Sequence, residues 1–136
     1  RVLFLGLLVV GSVAFVRPPS QPYRVAFDLT SRDTLEQKAV LRWLREVGGS
    51  SPEAQMEVVM YGKGFELVMP ERSPYLADVQ NAMKNPNVKF KVCAIALRNN
   101  NVAASQLLPG VETVPDGIHE LVMKQQDHWG YIKVMH

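Results

Sequence analysis

The chain contains one cysteine, Cys93, which closes the run Val88-Lys89-Phe90-Lys91-Val92-Cys93-Ala94. That run begins by alternating apolar and basic residues and reads as a strand. A short helix is expected over Ile95 to Asn101, so the thiol falls where a strand ends and a helix begins. Helix N-terminal amides stabilise an anion, and a thiolate is the attacking species in thiol and sulfur-transfer chemistry. Cys93 is therefore a candidate nucleophile or sulfur carrier. Lys91, two positions back, shares its side of the strand, and Arg98 lies about one helical turn beyond. The opposing reading is packing, because free cysteine is among the most buried residue types. A lone cysteine also excludes an intramolecular disulfide and any multi-cysteine zinc or iron–sulfur centre.

Other candidate groups are weaker. Gly62-Lys63-Gly64 follows a strand and offers backbone N–H groups to an anion, but it lacks the further glycine of a dinucleotide fingerprint and the spacing of a Walker loop. Alone it reads as a tight turn. His119, His128 and His136 show neither HExxH nor two-His-one-carboxylate spacing, so no metal is expected. No serine occupies a nucleophile elbow. Trp129 and Tyr131 flank Gly130 and read as core or interface aromatics.

The elements that must position these groups follow from periodicity. Tyr23 to Leu29 is a first strand. Asp33 caps a helix, with Glu36 reaching back and Val40, Leu41, Leu44 and Val47 at helical spacing. Gly48-Gly49 is expected to close that helix. Met56 to Tyr61 is a second strand, Phe65 to Met69 a short helical segment, and Pro74 to Lys84 a helix. After the Cys93 strand come a brief strand at Val111 to Val114, a helix burying Ile118, Leu121 and Val122, and a last strand at Tyr131 to Val134. Strands separated by crossover helices imply a parallel sheet covered on both faces. The expectation is a three-layer α/β/α domain over residues 23–136 with a mostly parallel sheet of about five strands. Ligands in such sheets sit outside the carboxyl ends of the strands, which directs attention to Asp28 to Thr30, Tyr61 to Gly64, Cys93 to Ile95 and Val114 to Gly117.

Val2 to Val16 is an unbroken apolar run behind Arg1, followed by a linker over residues 17–22 with three prolines in its last five positions. As a helix the run spans roughly 22 Å, short of a hydrocarbon core of about 30 Å. A basic flank and the small-x-small site Ser12-Val13-Ala14 fit a secretory signal peptide over residues 1–16, with a membrane anchor as the competing reading. Either places the domain outside the cytoplasm, periplasmic or secreted, touching membrane only through this segment. The formal net charge of +2 in 136 residues gives no ground for nucleic-acid binding.

Several segments together resemble the DsrE/YchN-like family of sulfur-relay proteins. They are Glu57 to Gly64, Phe90 to Leu97, Leu108 to Val111, Val114 to Leu121, Gln125-Gln126 and Gly130 to Lys133. The resemblance implies a parallel α/β/α fold, assembly into trimers or hexamers, and a cysteine that carries persulfide sulfur between partners without a cofactor. The family cysteine falls on Cys93. The expected pocket around it comprises Tyr61, Gly62, Lys63, Gly64, Ala94, Ile95 and Arg98. The implied partners are sulfur donor and acceptor proteins or small sulfane-sulfur compounds. This chain departs from the pattern at Ile95, where family members often carry a polar residue, typically Asn. A secretory segment is also unusual for a cytoplasmic relay and points to extracytoplasmic sulfur metabolism. The alternative, favoured by Ile95, is a non-catalytic ligand-binding or assembly module of the same fold.

Overall fold

The structure, a computed structural model, describes residues 14–16 and 22–135. The expected signal or anchor segment and the proline-rich linker fall outside them, apart from residues 14–16 and 22, as does His136. Among the described residues no helix is long and apolar enough to cross a membrane.

Five strands form the sheet: β1 (Arg24–Leu29), β2 (Gln55–Met60), β3 (Val88–Cys93), β4 (Glu112–Val114) and β5 (Gly130–Lys133). Their order is β4-β3-β2-β1-β5, with every neighbouring pair parallel. Between them lie α1 (Thr34–Ser50), α2 (Leu76–Ala82), α3 (Ala94–Asn99) and α4 (Gly117–Gln126). A 3-10 turn over Gly64–Val68 takes the place of the expected helical segment.

The chain steps in one direction from β1 to β4, then returns across the sheet to place β5 on the free side of β1. Right-handed crossovers therefore put α1, α2 and α3 on one face and α4 alone on the other. Core composition agrees with this division. Val25, Phe27 and Leu29 alternate onto the first face, where they meet Leu41 and Leu44 of α1 and Val79 of α2. Ala26 and Val59 face the other way and pack with Leu121 of α4.

Asp33 caps α1 as expected, its Oδ1 accepting from the amides of Leu35 at 2.8 Å and Glu36 at 3.2 Å. The amide of Asp33 donates to the Ser31 hydroxyl at 2.9 Å. The far end of α1 differs from expectation. Gly48 and Gly49 lie inside the helix, which runs to Ser50 and is closed by the Ser51 amide donating to the Val47 carbonyl. Neither glycine has the positive φ that a left-handed cap requires. The helix expected over Pro74 to Lys84 is shorter, beginning at Leu76.

Candidate functional site

A cleft of about 260 Å³ opens at the carboxyl ends of β2 and β3. Tyr61 and Gly62 after β2 line it, with Cys93 at the end of β3 and Ile95, Ala96, Asn99 and Asn100 along α3 and just beyond it. Asp116 and Ile118, at the start of α4, complete it. β3 sets Cys93 here because Phe90 and Val92 anchor the strand in the main core. Cys93 is the residue from which α3 starts, with extended backbone at φ −66° and ψ 119°. On its other side is the first residue of α4, Gly117. A Cβ there would lie 3.1 Å from that of Cys93 and 3.4 Å from that of Tyr61, so glycine permits the close approach. The thiol-bearing residue thus stands between two helix starts. It is 4% exposed and also touches the edge of the main apolar cluster.

The expected pocket residues divide. Tyr61, Gly62 and Ile95 line the cleft with Cys93; Lys63, Gly64, Ala94 and Arg98 do not. Gly64 is instead buried against the backbone of Leu29, where a Cβ would overlap the carbonyl oxygen. The expected anion cradle in the Gly62 to Gly64 turn is largely spent, since Lys63 N donates to Thr30 O and Gly64 N to Tyr61 O. Gly62 accommodates this turn at φ +58°. Arg98 is exposed away from the cleft.

Lys91 does share the Cys93 side of β3, but its ammonium is engaged elsewhere. It lies 3.1 Å from Glu57 Oε2 and 2.9 Å from Glu120 Oε1. Lys91 and Arg98 thus lie off the cleft, and among the described residues no Lys or Arg lines it. Asn99 and Asn100, absent from the expected set, also line the cleft, and Asn100 Nδ2 donates to the Ala96 carbonyl at 2.7 Å. Their place one to two turns past Cys93 is the signal that would have found them.

Beside the cleft, at the carboxyl ends of β1 and β5, lies a second polar group. The Asp28 carboxylate is nearly buried, at 3% exposure. Its Oδ2 accepts from the Tyr131 hydroxyl at 2.6 Å and the Tyr61 hydroxyl at 3.3 Å. Its Oδ1 accepts from Lys133 Nζ at 3.2 Å, and that ammonium also donates to Thr30 Oγ1 at 2.7 Å. Hydrogen bonding to Asp28 pushes the Tyr131 phenol up to about 12. Burial first, then Asp28, and least of all Cys93, push the Tyr61 phenol upward. Tyr61 thus joins the two groups, its ring against the thiol's cleft and its hydroxyl on Asp28. Among the described residues no group of His, Cys, Asp and Glu is arranged to hold a metal ion.

An all-parallel sheet of five strands with connecting helices defines the chain as an α/β protein. Residues 26–134 match the model of the DsrE/DsrF-like family, and the chain belongs to that family. Among solved structures it is similar to a protein of unknown function, MTH1491 from Methanobacterium thermoautotrophicum. The two share 28% identity and a TM-score of 0.76, with 82% of this chain and 98% of that chain covered. The ychN protein from E. coli shares the fold at 12% identity and TM-score 0.68, covering 83% of this chain and 99% of that one. BT1422 from Bacteroides thetaiotaomicron, a conserved protein of unknown function, does so at 11% identity and TM-score 0.66, covering 82% and 94%. Among curated proteins none matches the chain.

Proposed function

We propose that the protein is a single-cysteine sulfur carrier. The Cys93 thiolate attacks the terminal sulfur of a donor persulfide, forming Cys93–S–SH and expelling the donor thiolate. An acceptor thiolate then attacks that same terminal sulfur, taking it as its own persulfide and restoring the Cys93 thiolate. No net oxidation occurs in either step, and no cofactor is required. The carrying observation is the position of Cys93 in an open cleft between the starts of α3 and α4. The start of α3 supplies partial positive charge beside the anion, in place of the basic side chains expected there, whereas the start of α4 is capped by Asp116, whose Oδ1 accepts from the Ile118 amide at 2.9 Å. Mass spectrometry of reduced protein after exposure to a sulfane-sulfur donor tests this reading. A gain of about 32 Da that disappears in Cys93→Ser supports it, and no gain removes it.

A second reading has its own observation. Among the described residues no cation lines the cleft, which includes Asp116 and is partly walled by Ile95 and Ile118, while Cys93 is 4% exposed. Those features suit an uncharged ligand or partner segment with Cys93 as a packed wall. Thiol labelling near neutral pH separates the two: a carrier labels faster than free cysteine, a packing residue hardly at all.

The proposal extends to self-assembly and to export. Self-assembly is supported by α4, which buries Leu121 as expected but leaves Ile118 and Val122, also expected inside, exposed at 59% and 44%, with Met123 at 46%. Tyr131 and Ile132 of the edge strand β5 are exposed as well. A patch of this kind suits a second copy of the chain, as a trimer or hexamer. A monomeric sedimentation profile at micromolar concentration would count against it. Export rests on the apolar run of residues 2–16. The mass of the mature chain in membrane and soluble fractions distinguishes cleavage after Ala14 from retention as an anchor.

A further inference from the structure

Beneath α4 the sheet presents charge where a parallel sheet ordinarily presents hydrocarbon. Glu57 on β2 has a side chain only 2% exposed, and its Oε2 lies 3.1 Å from Lys91 Nζ of β3 and 3.0 Å from Lys124 Nζ of α4. Both ammonium groups also meet Glu120 Oε1 of α4, at 2.9 Å and 3.6 Å. The second carboxylate oxygen of Glu57 is buried without a hydrogen-bond partner. Lys124 further sits over the Trp129 ring, 4.3 Å from its centroid. These contacts matter to α4 because its one buried apolar side chain is Leu121. The same helix begins with the Asp116 to Ile118 wall of the Cys93 cleft.

We propose that Glu57 is a positioning residue for the Cys93 cleft, acting through α4: the Glu57–Lys91–Glu120–Lys124 cluster sets the seat of the helix and so the wall against the thiol. The seat is linked to protons. A nearly buried carboxylate with one oxygen unpaired is penalised in its charged form, so seating α4 over it favours the protonated acid. Burial first, then the Glu120 carboxylate, pushes Glu57 upward, against the opposing pull of Lys124 and Lys91. The other charges around it are Lys89, its register partner on β3, and Glu112 on β4, the register partner of Lys91. On β1 the residue in register is the uncharged Ala26. The sign follows from linkage: a state that raises the acid's affinity for its proton is favoured as pH falls and released as pH rises. α4 is therefore seated more tightly below the pH at which Glu57 ionises than above it.

This proposal concerns the cleft of the sulfur-carrier reading but not sulfur transfer itself. Its test is the rate of Cys93 alkylation by iodoacetamide from pH 5 to 8, divided at each pH by the fraction of Cys93 present as thiolate, read from its ultraviolet absorbance, so that the thiol's own titration cancels. The expected wild-type ratio climbs by about threefold or more as Glu57 ionises, a factor at the low end of coupling between touching charged groups. Glu57→Gln flattens the climb. Lys124→Gln, which removes a cation stabilising ionised Glu57, moves it to higher pH and serves should Glu57→Gln fail to fold. Leu121→Ala, which loosens α4 without touching the charges, raises the ratio throughout while keeping the climb. A flat wild-type ratio, an unchanged climb in Glu57→Gln, or an unshifted one in Lys124→Gln overturns the proposal. Absence of persulfide with the climb intact overturns only the sulfur-carrier reading.

Discussion

The two faces of the sheet are built from adjacent positions of the same strands and have opposite chemistry. One row across the sheet runs Ile132, Phe27, Val58 and Phe90; the next runs Lys133, Asp28, Val59, Lys91 and Glu112. Phe27, Val58 and Phe90 of the first row are sealed under three helices at 0–2% exposure. The second row lies on the face covered by α4 alone and carries two buried or half-buried ion clusters. Hydrocarbon burial is non-directional and tolerates repacking, whereas a buried charge requires partners at set distances. The first face supplies stability and anchors the strand that carries Cys93, and the second holds charged partners at set distances beneath α4.

The largest expected effect breaks the first face. Phe27→Ala, at the centre of the sheet with 0% exposure, should cost about 3–5 kcal/mol, the range for large-to-small aromatic changes in a packed core. Leu121→Ala under α4 should cost about 2 kcal/mol, at the low end for buried leucine, because its apolar cluster is small. Urea melts of both variants measure the difference. Equal losses would mean that the two faces are packed alike.

Next in size, Asp28→Asn removes the charge on which Tyr131, Tyr61 and Lys133 converge. The expected loss is about 1.5–3 kcal/mol, as for a hydrogen bond to a charged group. The same substitution has a spectroscopic signature. In the native protein the Tyr131 phenol is held up to about 12, so it should resist ionisation in an alkaline absorbance titration. The folded state prefers the protonated phenol, so this contribution is complete below the ordinary tyrosine value near 10 and is lost as pH rises through about 12. In Asp28→Asn the titration should move down towards the ordinary value. An unmoved titration would show that something other than Asp28 holds the phenol.

Much of the hydrophobic face was legible in the sequence. Short apolar runs gave the five strands, Asp33 gave the start of α1, and Cys93 fell at the end of β3 as expected. The end of α1 was less legible because Gly48-Gly49 has the composition of a stop, while the stop itself is a backbone bond from Ser51 to Val47. The ion clusters were least legible, since Lys91 meets Glu57 and Glu120 from distant parts of the chain. A signal for them existed in Asp28 and Glu57. Each interrupts an apolar strand, and a carboxylate inside a parallel sheet must find a cation or donor. Arg98 was misplaced for a different reason: lying one turn along a short helix does not settle which way that turn faces.

The smallest structural effect should come from the residue with the largest functional one. Cys93→Ser changes one atom at the rim between the faces, where the side chain touches the main cluster but also lines the open cleft. Serine is close to cysteine in volume, so no sizeable cavity follows, and the cost is that of placing a hydroxyl where a thiol packed. Asn99 and Asn100 stand around the same cleft as polar neighbours for it. The expected stability change is about 1 kcal/mol or less, measured by the same urea melts. The variant should lose all persulfide uptake and all alkylation. A loss approaching that of Phe27→Ala would show that Cys93 belongs to the packed core rather than to the cleft, and the packing reading of the thiol would then prevail.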